Sequence, residues 1–128
     1  MPVSYVIREM ANPLNRDAAK KFYARAKGRG ELTFRQLSKE IAEGSTTVSD
    51  SDVLAVLNDL TKLLRRHLEN GEIVRFGDFG TFQISINSEG AETEAKFNVA
   101  MIKKSRVSFR PGIDLKEMLA VLKFEKIK

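Results

Sequence analysis

The run Gly71-Glu72-Ile73-Val74-Arg75-Phe76-Gly77-Asp78-Phe79-Gly80-Thr81-Phe82 constrains this chain more than any other stretch. A helical apolar rhythm runs up to it and a strand alternation leaves it, so it marks a helix-to-sheet junction. Gly77 and Gly80 bracket a bend that side chains would obstruct. Upstream, Val53, Val56, Leu57, Leu60, Leu63, Leu64 and Leu68 recur at the spacing of one helix face, the strongest periodic signal in the chain. Ser49, with Asp52 following, caps the start of this helix, and Gly71 after Asn70 is a left-handed stop. An earlier helix, capped by Thr33 with Gln36, carries Phe34, Leu37, Ile41 and Ala42 on one side. Gly44-Ser45-Thr46-Thr47 ends it, leaving a helical hairpin.

Ile73 to Phe76 reads as a first strand. Phe82, Ile84 and Ile86 alternate with Thr81, Gln83 and Ser85 in a second. Asn87-Ser88-Glu89-Gly90 signals a turn. A long strand is predicted from Phe97 to Phe109, stopped by Pro111-Gly112. Its alternation sends Lys104, Arg106 and Arg110 to one face while Val107 and Phe109 face the core. Leu115, Met118, Leu119 and Leu122 predict a short final helix, and Lys123 to Lys128 a basic tail. A helix pair followed by strands and a helix belongs to the α+β class. Residues 1–30 stand apart. They hold a short strand, Val3 to Arg8, a turn at Asn12-Pro13-Leu14-Asn15, a cation-rich stretch from Lys20 to Lys27, and a flexible break at Gly28-Arg29-Gly30. This segment is too short for its own core and is expected to pack on the rest.

The net charge of +5 is not evenly spread. Residues 1–30 carry seven Lys/Arg against two Asp/Glu, residues 31–84 six against nine, and residues 85–128 nine against six. Two basic ends around a weakly acidic middle point to a polyanionic partner. The absence of cysteine excludes disulfides and thiolate metal sites. No apolar run approaches the roughly 18–20 residues of a membrane span, and no secretory leader is expected. His67 is the only histidine and sits on the second helix beside Arg65 and Arg66. Neither a nucleophile elbow nor a glycine-rich phosphate loop is present. Enzymatic activity, cofactors, metals and small-molecule substrates are therefore not expected.

The order of elements, with the Gly77/Gly80/Phe82 cluster and Phe109-Arg110-Pro111-Gly112, resembles the HU/IHF family of bacterial histone-like DNA-binding proteins. The resemblance covers about residues 31–122, and the basic N-terminal extension is similar to that of the HU-related branch. It implies an intertwined homodimer: a helical hairpin, a three-stranded antiparallel sheet, an extended β-arm over about residues 85–106, and a short C-terminal helix. Domains are expected at 1–30 and 31–128. The implied function is sequence-tolerant double-stranded DNA binding and DNA condensation in the cytoplasmic nucleoid, with arms in the minor groove. Carried onto this chain, the DNA-binding positions are Arg75, Gly80, Thr81, Lys96, Lys103, Lys104, Arg106, Arg110, Gly112 and Lys116. Gly80 and Thr81 would offer backbone or hydroxyl contacts. Gly112 would open a helix whose amides hold a phosphate.

The chain departs from the family's pattern in its arm. No proline lies between residues 14 and 110, so the wedge of the family's arm tip is missing, and Phe97 or Met101 would have to replace it. Glu89, Glu92 and Glu94 make the tip acidic, which phosphates repel. Backbone contact with less bending than in typical relatives is the expectation. In the extension, Arg16, Lys20, Lys21, Arg25, Lys27 and Arg29 either add phosphate contacts or form a solvated face. A protein-interaction scaffold on the same fold is the alternative function, and RNA binding a third.

Overall fold

The computed structural model describes residues 2–11, 14–15, 18–45 and 47–127. Asn12 and Pro13 of the expected turn, Arg16, Thr46 and Lys128 lie outside the described residues. The chain divides into two compact units, Phe34–Glu117, and Met1–Thr33 with Met118–Lys128.

The larger unit starts with α1 (Phe34–Gly44) and α2 (Asp50–Glu69). The first begins directly after Thr33, where the capping pattern places its start. Ser49 caps α2, its hydroxyl accepting from the Asp52 amide at 3.2 Å. That side chain satisfies one of the orphan donors of the first turn, and Asp50 and Asp52 complement the positive end of the helix dipole. The other end closes as a Schellman motif. The Gly71 amide donates to the Leu68 carbonyl at 2.9 Å and the Glu72 amide to the His67 carbonyl at 3.0 Å. Gly71 has φ +83°, the left-handed conformation such a stop requires. His67 Nδ1 lies 2.7 Å from Glu72 Oε2, so the histidine serves the local clasp across this stop.

Strands β3 (Val74–Phe76), β4 (Gly80–Ser88) and β5 (Ile102–Pro111) follow, forming an antiparallel sheet in the order β3-β4-β5. The β3–β4 turn is closed by the Phe79 amide donating to the Phe76 carbonyl at 3.0 Å. Gly77 supplies its φ of +53°. On one face of the sheet, Phe76, Phe82 and Phe109 pack with Phe79 of the turn; the Phe82 and Phe109 ring centroids are 4.8 Å apart and those of Phe76 and Phe82 6.1 Å. Helix α3 (Ile113–Ala120) ends before Leu122, shorter than the predicted final helix.

Two expectations for the arm are corrected. The strand predicted from Phe97 begins only at Ile102, and strand pairing in β4 continues through Ser88, into the predicted turn. Residues 89–101 form a compact tip with two short 3-10 turns, Glu94–Lys96 and Val99–Met101. Local hydrogen bonds outcompete the ladder here. The Asn98 side chain accepts from the Ala100 amide at 3.0 Å, and the Glu89 amide donates to the Met101 carbonyl at 2.8 Å. Phe97 and Met101 thus belong to the turns of the tip, not to a strand. A bulge between Asn87 and Ser88 leaves Lys103 opposite no residue of β4.

The smaller unit is a sheet of its own. Strands β1 (Val3–Met10) and β2 (Lys21–Ala26) pair antiparallel, and β6 (Phe124–Lys126) adds in parallel to β1. The C-terminal residues expected as a tail of the 31–128 domain are therefore a strand grouped with the N-terminal segment. The cause is local. Once β1 is extended, its second edge needs a ladder, and the Val3 amide donates to the Lys123 carbonyl at 2.7 Å while the Ile127 amide donates to the Tyr5 carbonyl at 2.9 Å.

Candidate nucleic-acid interface

The register of the β3-β4-β5 sheet sorts its side chains. Val74 opposes Phe82, Phe76 opposes Gly80, Phe82 opposes Phe109, and Ile84 opposes Val107. Directly opposed residues share a face, and strand side chains alternate. The second face consequently holds Arg75, Thr81 and Arg110 in one cross-strand row, then Gln83 with Ser108, Ser85 with Arg106, and Asn87 with Lys104. Arg75, Lys104, Arg106 and Arg110 are all exposed. The structure brings these expected cations to one polar surface, away from the phenylalanine cluster.

Part of this surface is held in place by hydrogen bonds. Ser85 Oγ and Ser108 Oγ are 2.7 Å apart, and Arg106 Nε donates to Ser85 Oγ at 3.4 Å. Sequence reasoning did not single out Gln83, Ser85, Asn87 or Ser108. Their recurrence at every second position was the available signal, because polar residues between cations on a strand face can also donate to an anion. Thr81 is half-buried between Arg75 and Arg110.

The remaining expected residues lie elsewhere or serve other ends. Lys103 Nζ is 3.5 Å from Glu89 Oε1, and Lys96 Nζ is 3.1 Å from Glu92 Oε2. The acidic tip therefore engages two expected phosphate ligands. Lys116 is exposed on α3, outside the cationic face. Gly80 is buried: a Cβ there would run into the Phe109 ring and stand 2.7 Å from the Arg110 carbonyl oxygen. Its position serves close packing, a steric requirement on the glycine that stands whether or not its backbone contacts a ligand. The Gly112 expectation is also corrected. The Gly112 amide donates to the Phe79 carbonyl at 2.8 Å and the Asp114 amide to the Asp78 carbonyl at 3.1 Å. These bonds occupy amides at the start of α3, and Asp114 adds a negative charge in its first turn. A phosphate finds little left to bind there.

The opposite, apolar side of this unit is poorly covered. Among the described residues, Val53 is the only apolar side chain classed as buried. Val56 on α2 is 64% exposed and Val107 on β5 57%. Leu64 and Leu68 of α2 line an open cleft with Phe82, Ile84 and Val107. Among the described residues no group of three or more His, Cys, Asp or Glu could hold a metal, and no helix is long and apolar enough to cross a membrane.

Residues 1–126 match the family HU-HIG, described as an HU domain fused to wHTH, Ig, or Glycine-rich motif. The crystal structure of a candidate bacterial DNA-binding protein from Bacteroides vulgatus ATCC 8482 is similar over 98% of this chain, with a TM-score of 0.64 and 14% identity. The chain spans about half of that protein, 48% of its length. HU of Anabaena, crystallised with DNA, is similar over 70% of this chain and 99% of its own, with a TM-score of 0.54 and 19% identity. At these identities the two structures speak for the fold. No curated protein matches the sequence significantly.

Proposed function

The chain belongs to the HU-HIG family of HU domains, and on that premise we propose that it binds double-stranded DNA with little sequence preference, as a nucleoid-organising homodimer. The observation that carries this reading is the shared face of Arg75, Lys104, Arg106 and Arg110. Regularly spaced cations on a sheet match a regular polyanion. Affinity then comes from phosphate neutralisation and counterion release, with any preference set by DNA shape. The anchoring of Arg106 by Ser85 reduces the side-chain entropy lost on binding.

Dimerisation follows from the uncovered apolar side. Fully burying a Leu, Val or Phe side chain contributes about 1.5–3 kcal/mol, and a unit with so little buried apolar surface cannot offset its chain entropy alone. A second copy laid against α2 and the apolar sheet face supplies the missing burial, and it doubles the cationic face.

Salt titration of binding to a fluorescent duplex of about 30 base pairs tests the proposal. About eight phosphate contacts from this face in a dimer contribute about −7 to the log–log slope. Absence of binding at low salt would overturn it and leave a protein-interaction scaffold on the same fold. The tip offers a second, opposite-signed prediction. Glu89→Gln with Glu92→Gln releases Lys103 and Lys96, and exposed ion pairs of this kind stabilise a fold by only about 0–1 kcal/mol. DNA affinity is expected to rise about 3- to 10-fold with unchanged thermal stability. An unchanged affinity would show that the tip does not approach DNA, and a weaker one that its carboxylates do not oppose binding.

A further inference from the structure

We infer that the small β2-β1-β6 sheet carries a second phosphate-binding face, made of Arg8, Lys21, Tyr23 and Arg25; this deepens, and rests on, the DNA-binding reading above. The register pairs Val6 with Arg25, Arg8 with Tyr23, and Met10 with Lys21. These residues share one face. Tyr5, Ile7, Glu9, Phe22, Ala24 and Ala26 share the other, with Phe124 and Lys126 of β6.

Segregation is the argument. Cations that merely shield apolar surface lay their stems across it. Val6 and Met10 lie on the cationic face, but the large apolar side chains left barest are on the other: Phe22 is 70% exposed and Phe124 65%, against 37% for Met10. Lys126 is the one cation on that face, whereas three stand on the other. Among the described residues, no carboxylate forms an ion pair with Arg8, Lys21 or Arg25. Glu125 occupies the cationic side of β6, beside Ser4 and across the sheet from β2, and lies 3.7 Å from Arg29.

Spacing selects the ligand. Lys21, Tyr23 and Arg25 follow one another at about 6.6–6.8 Å along a single strand, and Arg8 stands about 5 Å from Tyr23 across the ladder. A row of donors at this interval suits the repeated phosphates of a nucleic-acid strand. Tyr23, 41% exposed, adds a phenol donor between two cations. Strand β2 lies at the sheet edge, so no further strand blocks approach from that side.

The test uses the full chain, the 30-base-pair duplex and two neutralised variants, Arg8→Gln/Lys21→Gln/Arg25→Gln and Lys104→Gln/Arg106→Gln. Loss of three phosphate contacts is expected to reduce the salt slope by about 2.7 per protomer and to weaken binding at least about 10-fold. The charge-preserving Arg8→Lys/Arg25→Lys variant is expected to keep the wild-type slope. A slope lost only in the Lys104/Arg106 variant would overturn this inference and leave the larger unit's role standing. A slope lost only in the Arg8/Lys21/Arg25 variant would support it and overturn that role. A wild type that binds no duplex would overturn both. Acetylation of Lys21 in the unaltered chain is independent of whether the variants fold. Protection by duplex supports the second face, and equal reactivity with and without duplex overturns it.

Discussion

Lys104→Glu combined with Arg106→Glu is expected to weaken duplex binding about 100-fold near 0.1 M salt, about 2.7 kcal/mol, and to flatten the salt slope by about 2 per protomer. Both side chains are exposed and neither belongs to the phenylalanine cluster, so the fold loses at most the 3.4 Å bond from Arg106 to Ser85. The reversal also places carboxylates opposite Asn87 and Ser85, where phosphates would approach. Two lost contacts alone would account for a smaller loss; added repulsion makes up the rest. Fluorescence anisotropy across a salt series reads both quantities, and thermal melting monitors the fold. Unchanged affinity in a folded variant would remove this sheet face from the interface and leave the proposed mechanism without its main support.

Gly112→Ala is expected to be the most damaging single-methyl change in the larger unit. An added Cβ would fall on the carbonyl of Asp78, with the Phe79 carbonyl carbon at 3.0 Å. These are backbone atoms of the β3–β4 turn and cannot rotate aside as a side-chain tip does. Moving them would disturb the Gly112-to-Phe79 and Asp114-to-Asp78 hydrogen bonds together. Overpacking against backbone combined with two impaired hydrogen bonds costs about 2–4 kcal/mol, or a melting point lower by roughly 10–20 °C at fixed protein concentration. Gly90→Ala is the control: nothing lies within 4 Å of its added Cβ and its φ is not positive. Equal melting temperatures for the two variants would show that α3 is not locked to the turn as described.

The helical hairpin, the antiparallel strands and the glycine turn were legible because each rests on local chemistry. Ser49 caps α2 through its own hydroxyl, Gly71 stops it through its own φ, and the alternation of Lys104, Arg106 and Arg110 follows from strand geometry. Three expected contact residues thus share one strand face with no information beyond a period of two, and only the cross-strand register adds Arg75 to them. The long strand from Phe97 was misread because apolar alternation does not reveal that the Asn98 side chain and the Thr93 and Glu94 carbonyls close tight turns instead. The close packing at Gly80 and Gly112 was not legible, because the neighbours that require it, Phe109 and Asp78, are distant in sequence.

What the sequence by itself determined is the set of elements, their caps and stops, and the sidedness of each strand, since all of these depend on residues a few positions apart. What only the tertiary structure decided is pairing. Parallel addition of Phe124–Lys126 to β1 joins the two ends of the chain in one sheet, and the partnering of Lys103 with Glu89 withdraws an expected phosphate ligand. Neither leaves a periodic trace, because a strand's edge accepts any extended segment that can complete its hydrogen bonds, and an ion pair needs only two opposite charges brought close by the fold.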